Sequence, residues 1–256
     1  MCDEGKTLEY FLGASEERKT LEYFLGAPLN DAENVLDDFR ELEGAIYRPQ
    51  RFDDSRDSFV YVPGKRKDRV LLIAHADTVF EWDTPVRSVM LGKVQYYSGT
   101  KNLGIGADDR AGCAILYLLK DMGHSLLVLN GEEDGSLGAL RIATECPEIF
   151  DELNEHSYMI EFDRRNEKDY KTYRIPVSDE FRAFIEAETG YHDAGSSSST
   201  DIAHLCEKIC GVNLSVGYYD EHTPMEHLIY SQWLNTLNIA RKMLEPPQKR
   251  FPLIQN

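Results

Sequence analysis

Basic residues are scarce in this chain: 28 lysines and arginines stand against 45 aspartates and glutamates, a formal charge of −17 over 256 residues. Phosphate binding needs a clustered basic face, and none is visible, which argues against a nucleic-acid partner. Long apolar runs are missing too. No stretch approaches the roughly 20 residues of a membrane-spanning helix, and the opening MCDEGK has neither the basic start nor the apolar centre of a secretion signal. The expectation is a cytoplasmic protein with no membrane partner. Cysteine is sparse, odd in number and scattered, at Cys2, Cys113, Cys146, Cys206 and Cys210. That is no disulfide framework. Cys206 and Cys210 are four apart, but no second Cys or His pair at finger spacing accompanies them, so all five read as reduced thiols.

What is present suffices for a core: 42% hydrophobic residues, with 14 Tyr and 11 Phe, in a chain long enough for one sizeable domain. That domain is expected over 30–244, after an N-terminal helical segment (1–29) and before a proline-rich, aperiodic tail (245–256) that reads as a loose end or a strap. The N-terminal segment carries KTLEYFLGA twice, letter for letter, at 6–14 and 19–27. Two copies cannot form a solenoid, which needs about three units or more. The plain reading is a tandem duplication of which only the second copy is structurally required; a paired amphipathic docking element is the alternative.

Beyond residue 30 the pattern alternates. AENVLDDFRELEGAI reads as a helix, FVYVP and RVLLIAH as strands, DRAGCAILYLLKDM as a helix, SLLVLNG as a strand, GALRIATE as a helix and SYMIEFD as a strand. SDEFRAFIEAE and TDIAHLCEKI then read as helices, GVNLSVGYY as a strand and MEHLIYSQWLNTLNIARKML as a long final helix. The fold class is therefore α/β, a three-layer sandwich around a mostly parallel sheet with mixed edges. VQYYSGT reads as an antiparallel edge.

The acids and histidines of interest fall where strands stop: His75-Ala-Asp77 after RVLLIA, Glu132-Glu133-Asp134 after SLLVLNG, Asp163 after SYMIEF, and His222 after GVNLSVGYYDE. In an open α/β sheet, ligands bind off the carboxyl ends of the strands. GIGADDRAG (104–112) adds two adjacent carboxylates, Asp108 and Asp109, before a helix. Each piece has a bland reading: a histidine satisfied by a neighbouring acid, a pair of helix-capping aspartates, a solvated acidic loop. Together they would gather acids at one sheet edge, where they repel strongly unless multivalent cations neutralise them. Imidazole with carboxylate suits zinc, or manganese or cobalt, better than calcium or magnesium. Competing motifs fail. GIGADD has Asp109 where a dinucleotide fingerprint needs its third glycine, no Walker loop or G-x-S-x-G elbow is present, and HTPMEH is neither zinc-helix motif.

HAD, GADDRAG, GEED, the Asp of EFD and the His of EHTPME, in that order over about 30–244, resemble the co-catalytic dinuclear zinc exopeptidases, the group of leucyl aminopeptidases, tripeptidases and glutamate carboxypeptidases. The resemblance implies two zinc ions. His75 and Asp163 would bind one, Glu133 and His222 the other, and the Asp108 carboxylate would bridge both; the resemblance also implies a cis Asp108–Asp109 peptide bond. It implies that Asp77 orients His75, and that Glu132 is the general base of peptide or amino-acid amide hydrolysis, most simply by an aminopeptidase. A carboxypeptidase, an N-acyl amino acid deacylase and a non-catalytic binding protein on the same fold are the alternatives. The stretch between Asp163 and His222 is too short for the lid domain of many relatives, so the chain resembles the compact, lidless members. Arg164 and Arg165 follow a ligand directly and are candidates for binding a substrate carboxylate, although neighbours on an extended segment point opposite ways. Oligomeric state is not legible.

Overall fold

The computed structural model describes residues 15–81, 88–91 and 95–254. The first KTLEYFLGA copy lies outside them. The second forms most of α1 (Glu16–Leu25), capped by Ser15, whose hydroxyl accepts from the Arg18 amide. Leu21, Phe24 and Leu25 recur at helical spacing and are buried; Phe24 packs against Phe39 of α2 (Ala32–Arg40) and against Tyr117. This helix is thus part of the main core.

Eight strands form the central sheet, in the order β1 (Ile46–Arg48), β2 (Phe59–Val62), β6 (Ser125–Leu129), β3 (Leu71–His75), β7 (Met159–Arg164), β10 (Gly211–Ser215), β8 (Asp169–Lys171) and β9 (His192–Asp193). The four middle strands, β6, β3, β7 and β10, run parallel, while β2 and β8 pair antiparallel to them. LLIAH and SLLVL are buried at every position, as expected of parallel strands covered on both faces. One face carries α1, α3 (Ala107–Leu119) and the C-terminal helix α8 (Tyr230–Leu244). The other carries α4 (Leu137–Glu145), α5 (Pro147–Leu153) and α7 (Ile202–Leu205). A further helix, α6 (Asp179–Thr189), packs beside α8.

Several sequence expectations are revised. The helix expected over 32–46 stops at Arg40, because Gly44 takes a left-handed turn and Ile46 opens β1. The final helix begins only at Tyr230, since His227–Ile229 is drawn into a strand, β12. VQYYSGT does not edge the main sheet. Its β5 (Gln95–Ser98) joins β4 (Ser88–Leu91), β12 and β11 (Tyr218–Tyr219) in a separate four-stranded antiparallel sheet. The tail is a strap: Phe251 is buried against Tyr158, Phe181 and Phe184, and its backbone bonds to Ser157 and Cys210. Cys206 and Cys210 are free thiols flanking a loop and belong to no regular helix.

Candidate metal centre

The carboxyl ends of β3, β6 and β7 bring His75, the Glu132–Glu133 turn and Asp163 together. Asp108 comes from the irregular first turn of α3, where Asp108 and Asp109 have non-helical dihedrals and regular helix begins after them. The Asp108–Asp109 peptide is cis. Gly112 lets this helix lie directly on β7: a Cβ there would sit 2.2 Å from the Phe162 carbonyl oxygen and 2.4 Å from Asp109 Oδ2. The glycine that closes GADDRAG is therefore a close-approach residue. His222 does not come from the end of a main-sheet strand; it sits, with φ +63°, in the turn between β11 and β12 of the small sheet.

Asp108 is the hub. Its Oδ1 lies 3.1 Å from His75 Nε2 and its Oδ2 3.2 Å from His222 Nε2. On the first side, His75 Nε2 is also 3.4 Å from Asp163 Oδ1; on the second, His222 Nε2 is 3.0 Å from Glu133 Oε2. Glu133 Oε1 is buried and has no hydrogen-bond partner. Donor atoms of His75, Asp108 and Glu133 all fall within 4.8 Å of one another, as do those of His75, Asp109 and Asp163. Both Asp109 oxygens already accept backbone amides, from His75 at 3.3 Å and Gly112 at 2.9 Å. Asp109 therefore fits a loop-holding role better than a ligand's.

The surrounding residues fix these donors. Asp77 Oδ1 is 3.3 Å from His75 Nδ1, and the two Asp77 carboxylate oxygens accept from the Glu132 and Glu133 amides at 3.2 and 3.1 Å. One buried side chain thus sets both the histidine ring and the acidic turn. Asp163 is held by Thr200 Oγ1 at 2.9 Å, the Tyr218 hydroxyl at 3.1 Å and Asn213 Nδ2 at 3.3 Å, while its amide donates to Asn213 Oδ1. Glu226 is wholly buried and accepts the Gly106 amide at 2.8 Å and the Asp108 amide at 3.0 Å.

GSSSSTD at 195–201 reads from the sequence as a rim loop, and Asn213-Leu-Ser215 as a chance glycosylation match, but nothing in the sequence gives Thr200, Asn213, Tyr218 or Glu226 a role in holding the centre. Glu226 sits in the quoted EHTPME, four residues past His222, but nothing in its spacing separates a loop anchor from a surface acid.

Electrostatics follow from crowding. Burial is the largest influence on Glu132 and, with Asp163, Asp201 and Asp108 nearby, pushes it up to about 9. Burial likewise raises Glu133 and Asp163. Asp108 goes the other way: the two imidazoles outweigh its burial and depress it. Bonds to Asp108 and Glu133 push His222 up to about 11, and His75, despite its burial, is held well above the usual histidine range by Asp108, Asp163 and Asp77. Positive charge is thus stabilised at both ends of the Asp108 carboxylate. An orphaned carboxylate oxygen and a set of imidazole nitrogens and carboxylate oxygens could hold a metal ion.

A cavity of about 380 Å³ opens onto this centre, lined by Asp108, Glu132, Asp163 and His222 at one end. Arg164 and Arg165 both line it, each engaged by a carboxylate: Arg164 with Asp169, Arg165 with Glu221.

No protein-family profile matches the chain, and no curated protein matches it by sequence. Solved structures do. The aminopeptidase PepT of Bacillus cereus superposes with a TM-score of 0.65 at 12% identity, covering 90% of this chain and 97% of that one. A tripeptidase of Staphylococcus aureus gives 0.63 at 12%, with 90% and 97% covered. A TET aminopeptidase from a marine-sediment thaumarchaeon gives 0.66 at 10%, with 91% and 98% covered. The chain shares the mixed α/β fold of these peptidases.

Proposed function

We propose that this chain is a dinuclear metal-dependent exopeptidase, most simply an aminopeptidase acting on short peptides. The observation that carries the reading is the bridging posture of Asp108, with one carboxylate oxygen toward each imidazole. His75, Asp163 and Asp108 would hold one ion and His222, Glu133 and Asp108 the other. When bound, two dications polarise the scissile carbonyl and make water acidic near neutral pH. The likeness of fold to aminopeptidases and a tripeptidase supports the same reaction class.

The chain's own residues supply the rest. Glu132 lines the cavity together with Asp108 and Asp163. Ionised once dications neutralise the acids crowding it, Glu132 would take the proton of the attacking water and return it to the leaving amine nitrogen. Asp77 orients His75 and holds the Glu132–Glu133 turn at a fixed height. Glu221 lines the same cavity, where its Oε1 pairs with Arg165 and helps to hold that side chain.

The test is metal analysis of purified protein together with hydrolysis of amino-acid amides, di- and tripeptides, and N-acetyl amino acids. Two zinc ions per chain and cleavage confined to substrates with free amino termini are expected. Cleavage of N-acetyl amino acids alone would point to a deacylase, and no metal with no cleavage would point to a binding protein.

A further inference from the structure

Lys171 stands beside the metal centre without touching it. It lies on β8, in register with Asn213 of β10, which in turn is in register with Glu161 of β7. Neighbours in register present side chains to the same sheet face. Thr200 reaches Glu161 and Asp163 at one end of this row, and Ser197 and Ser198 reach Lys171 at the other, so the 195–200 loop spans the row and roofs the cavity beside the metal centre. Lys171 is buried, 7% exposed, and lines that cavity. Its Nζ donates to the Ser197 carbonyl at 2.8 Å, Ser197 Oγ at 3.3 Å and Ser198 Oγ at 3.1 Å.

The charge is unusual for its surroundings. In a chain with 45 acids, every other cation on this wall has a carboxylate partner, but among the described residues no carboxylate forms an ion pair with Lys171. The Lys171 ammonium is in direct contact only with neutral groups, the serine oxygens and, at 5.8 Å, the Tyr173 ring, while Asp169 and Asp193 act on it without forming an ion pair; a buried ammonium so placed is costly unless a closer counter-charge arrives. The Ser197 hydroxyl, which accepts from Nζ, keeps its own hydrogen for an incoming anion.

We propose that Lys171, with Ser197 and Ser198, forms a carboxylate subsite that selects anionic substrates. The carboxylate comes either from an acidic side chain on the substrate's first residue or from the C-terminus of a dipeptide. This rests on the exopeptidase reading for its substrate, but the subsite itself is a binding claim. A merely structural clamp on the serine loop would favour no substrate over another.

The experiment compares matched pairs on the zinc-loaded protein. Glutamyl amide against leucyl amide isolates the side chain; leucyl-glycine against leucyl-glycinamide isolates the C-terminal carboxylate. Wild type should prefer the anionic member of one pair by about 10–100-fold in kcat/KM, the range of one charge-assisted hydrogen bond. Lys171→Met should abolish that ratio, chiefly through KM, and Lys171→Arg should restore part of it. Which pair responds identifies the source. In parallel, calorimetric titration should find glutarate bound at least tenfold more tightly than butyrate by wild type, with the difference lost in Lys171→Met. Equal treatment of both members of both pairs by wild type, or equal loss on all four substrates in Lys171→Met, overturns the subsite. Lys171-dependent glutarate binding without any hydrolysis keeps the subsite and refutes the peptidase reading; hydrolysis with no anion preference does the reverse.

Discussion

Glu226 offers a sharp test of how the centre is held together. Two effects compete at this residue. Burial penalises its charged carboxylate and raises its pKa to about 8, while the Gly106 and Asp108 amides, at 2.8 and 3.0 Å, stabilise the anion. If the burial penalty dominated, replacing Glu226 with an apolar residue would be neutral or stabilising. The geometry says otherwise, because the amides remain buried when the acceptor leaves. Each orphaned buried donor costs about 1–3 kcal/mol, and truncation also leaves a cavity beside Gly104, where an added Cβ would lie 2.6 Å from Glu226 Oε2. Glu226→Ala is expected to destabilise the fold by about 3–5 kcal/mol. Glu226→Gln keeps the shape but turns an N–H toward one amide, and should cost about 1–3 kcal/mol. Both variants release the backbone that aims Asp108, so zinc affinity in a chelator competition should fall alongside stability. Urea unfolding of the metal-free proteins measures the first effect cleanly. An unchanged midpoint for Glu226→Ala, or loss of stability with zinc affinity intact, would refute the anchoring role.

Glu132→Gln should lower turnover by about 10²–10⁴-fold with both metals retained, whereas Glu133→Gln should lose metal on the His222 side and recover partly in excess zinc; metal content and kcat read the two apart. His156 is buried, and that burial with Arg69 nearby pulls its pKa down to about 4. The unfolded chain, with histidine near 6.5, then binds the extra proton, so stability from this site is present above about pH 6.5 and is lost as pH falls toward 4, by at most about 3 kcal/mol. Unfolding curves across that window should be flatter in His156→Asn; an identical slope would remove the assignment. Phe24→Ala, in the second repeat copy, should cost about 3–5 kcal/mol because the ring is wholly buried against Phe39 and Tyr117; a thermal shift below what 1 kcal/mol produces would make α1 a detachable element.

Local chemistry made the strand ends readable. The centres of RVLLIA, SLLVLN and SYMIEF are mostly apolar because both faces of β3, β6 and β7 are covered, and each strand ends in polar residues that gather at one centre. His75, Asp77, Glu132, Glu133 and Asp163 could therefore be set side by side from sequence alone, and the acid pair after Gly106 could be placed beside them. Other features answered to distant partners. MEHLIY has helical spacing, yet His227–Ile229 is a strand because β5 and β11 flank it. Tyr96 and Tyr97 pair with that strand and not with the main sheet for the same reason. The residues that hold the centre in place, Glu226 on the Asp108 loop and Asn213, Tyr218 and Thr200 on Asp163, carry no periodicity and no motif. Their roles exist only once chain folding brings partners together: the Glu226 carboxylate reaches amides more than a hundred residues away, and Thr200, Asn213 and Tyr218 reach Asp163 across 37 to 55 residues. A strand end is written in its own dozen residues, whereas a hydrogen bond across the fold depends on tertiary packing, and that is why the ligand set was legible while its supports were not.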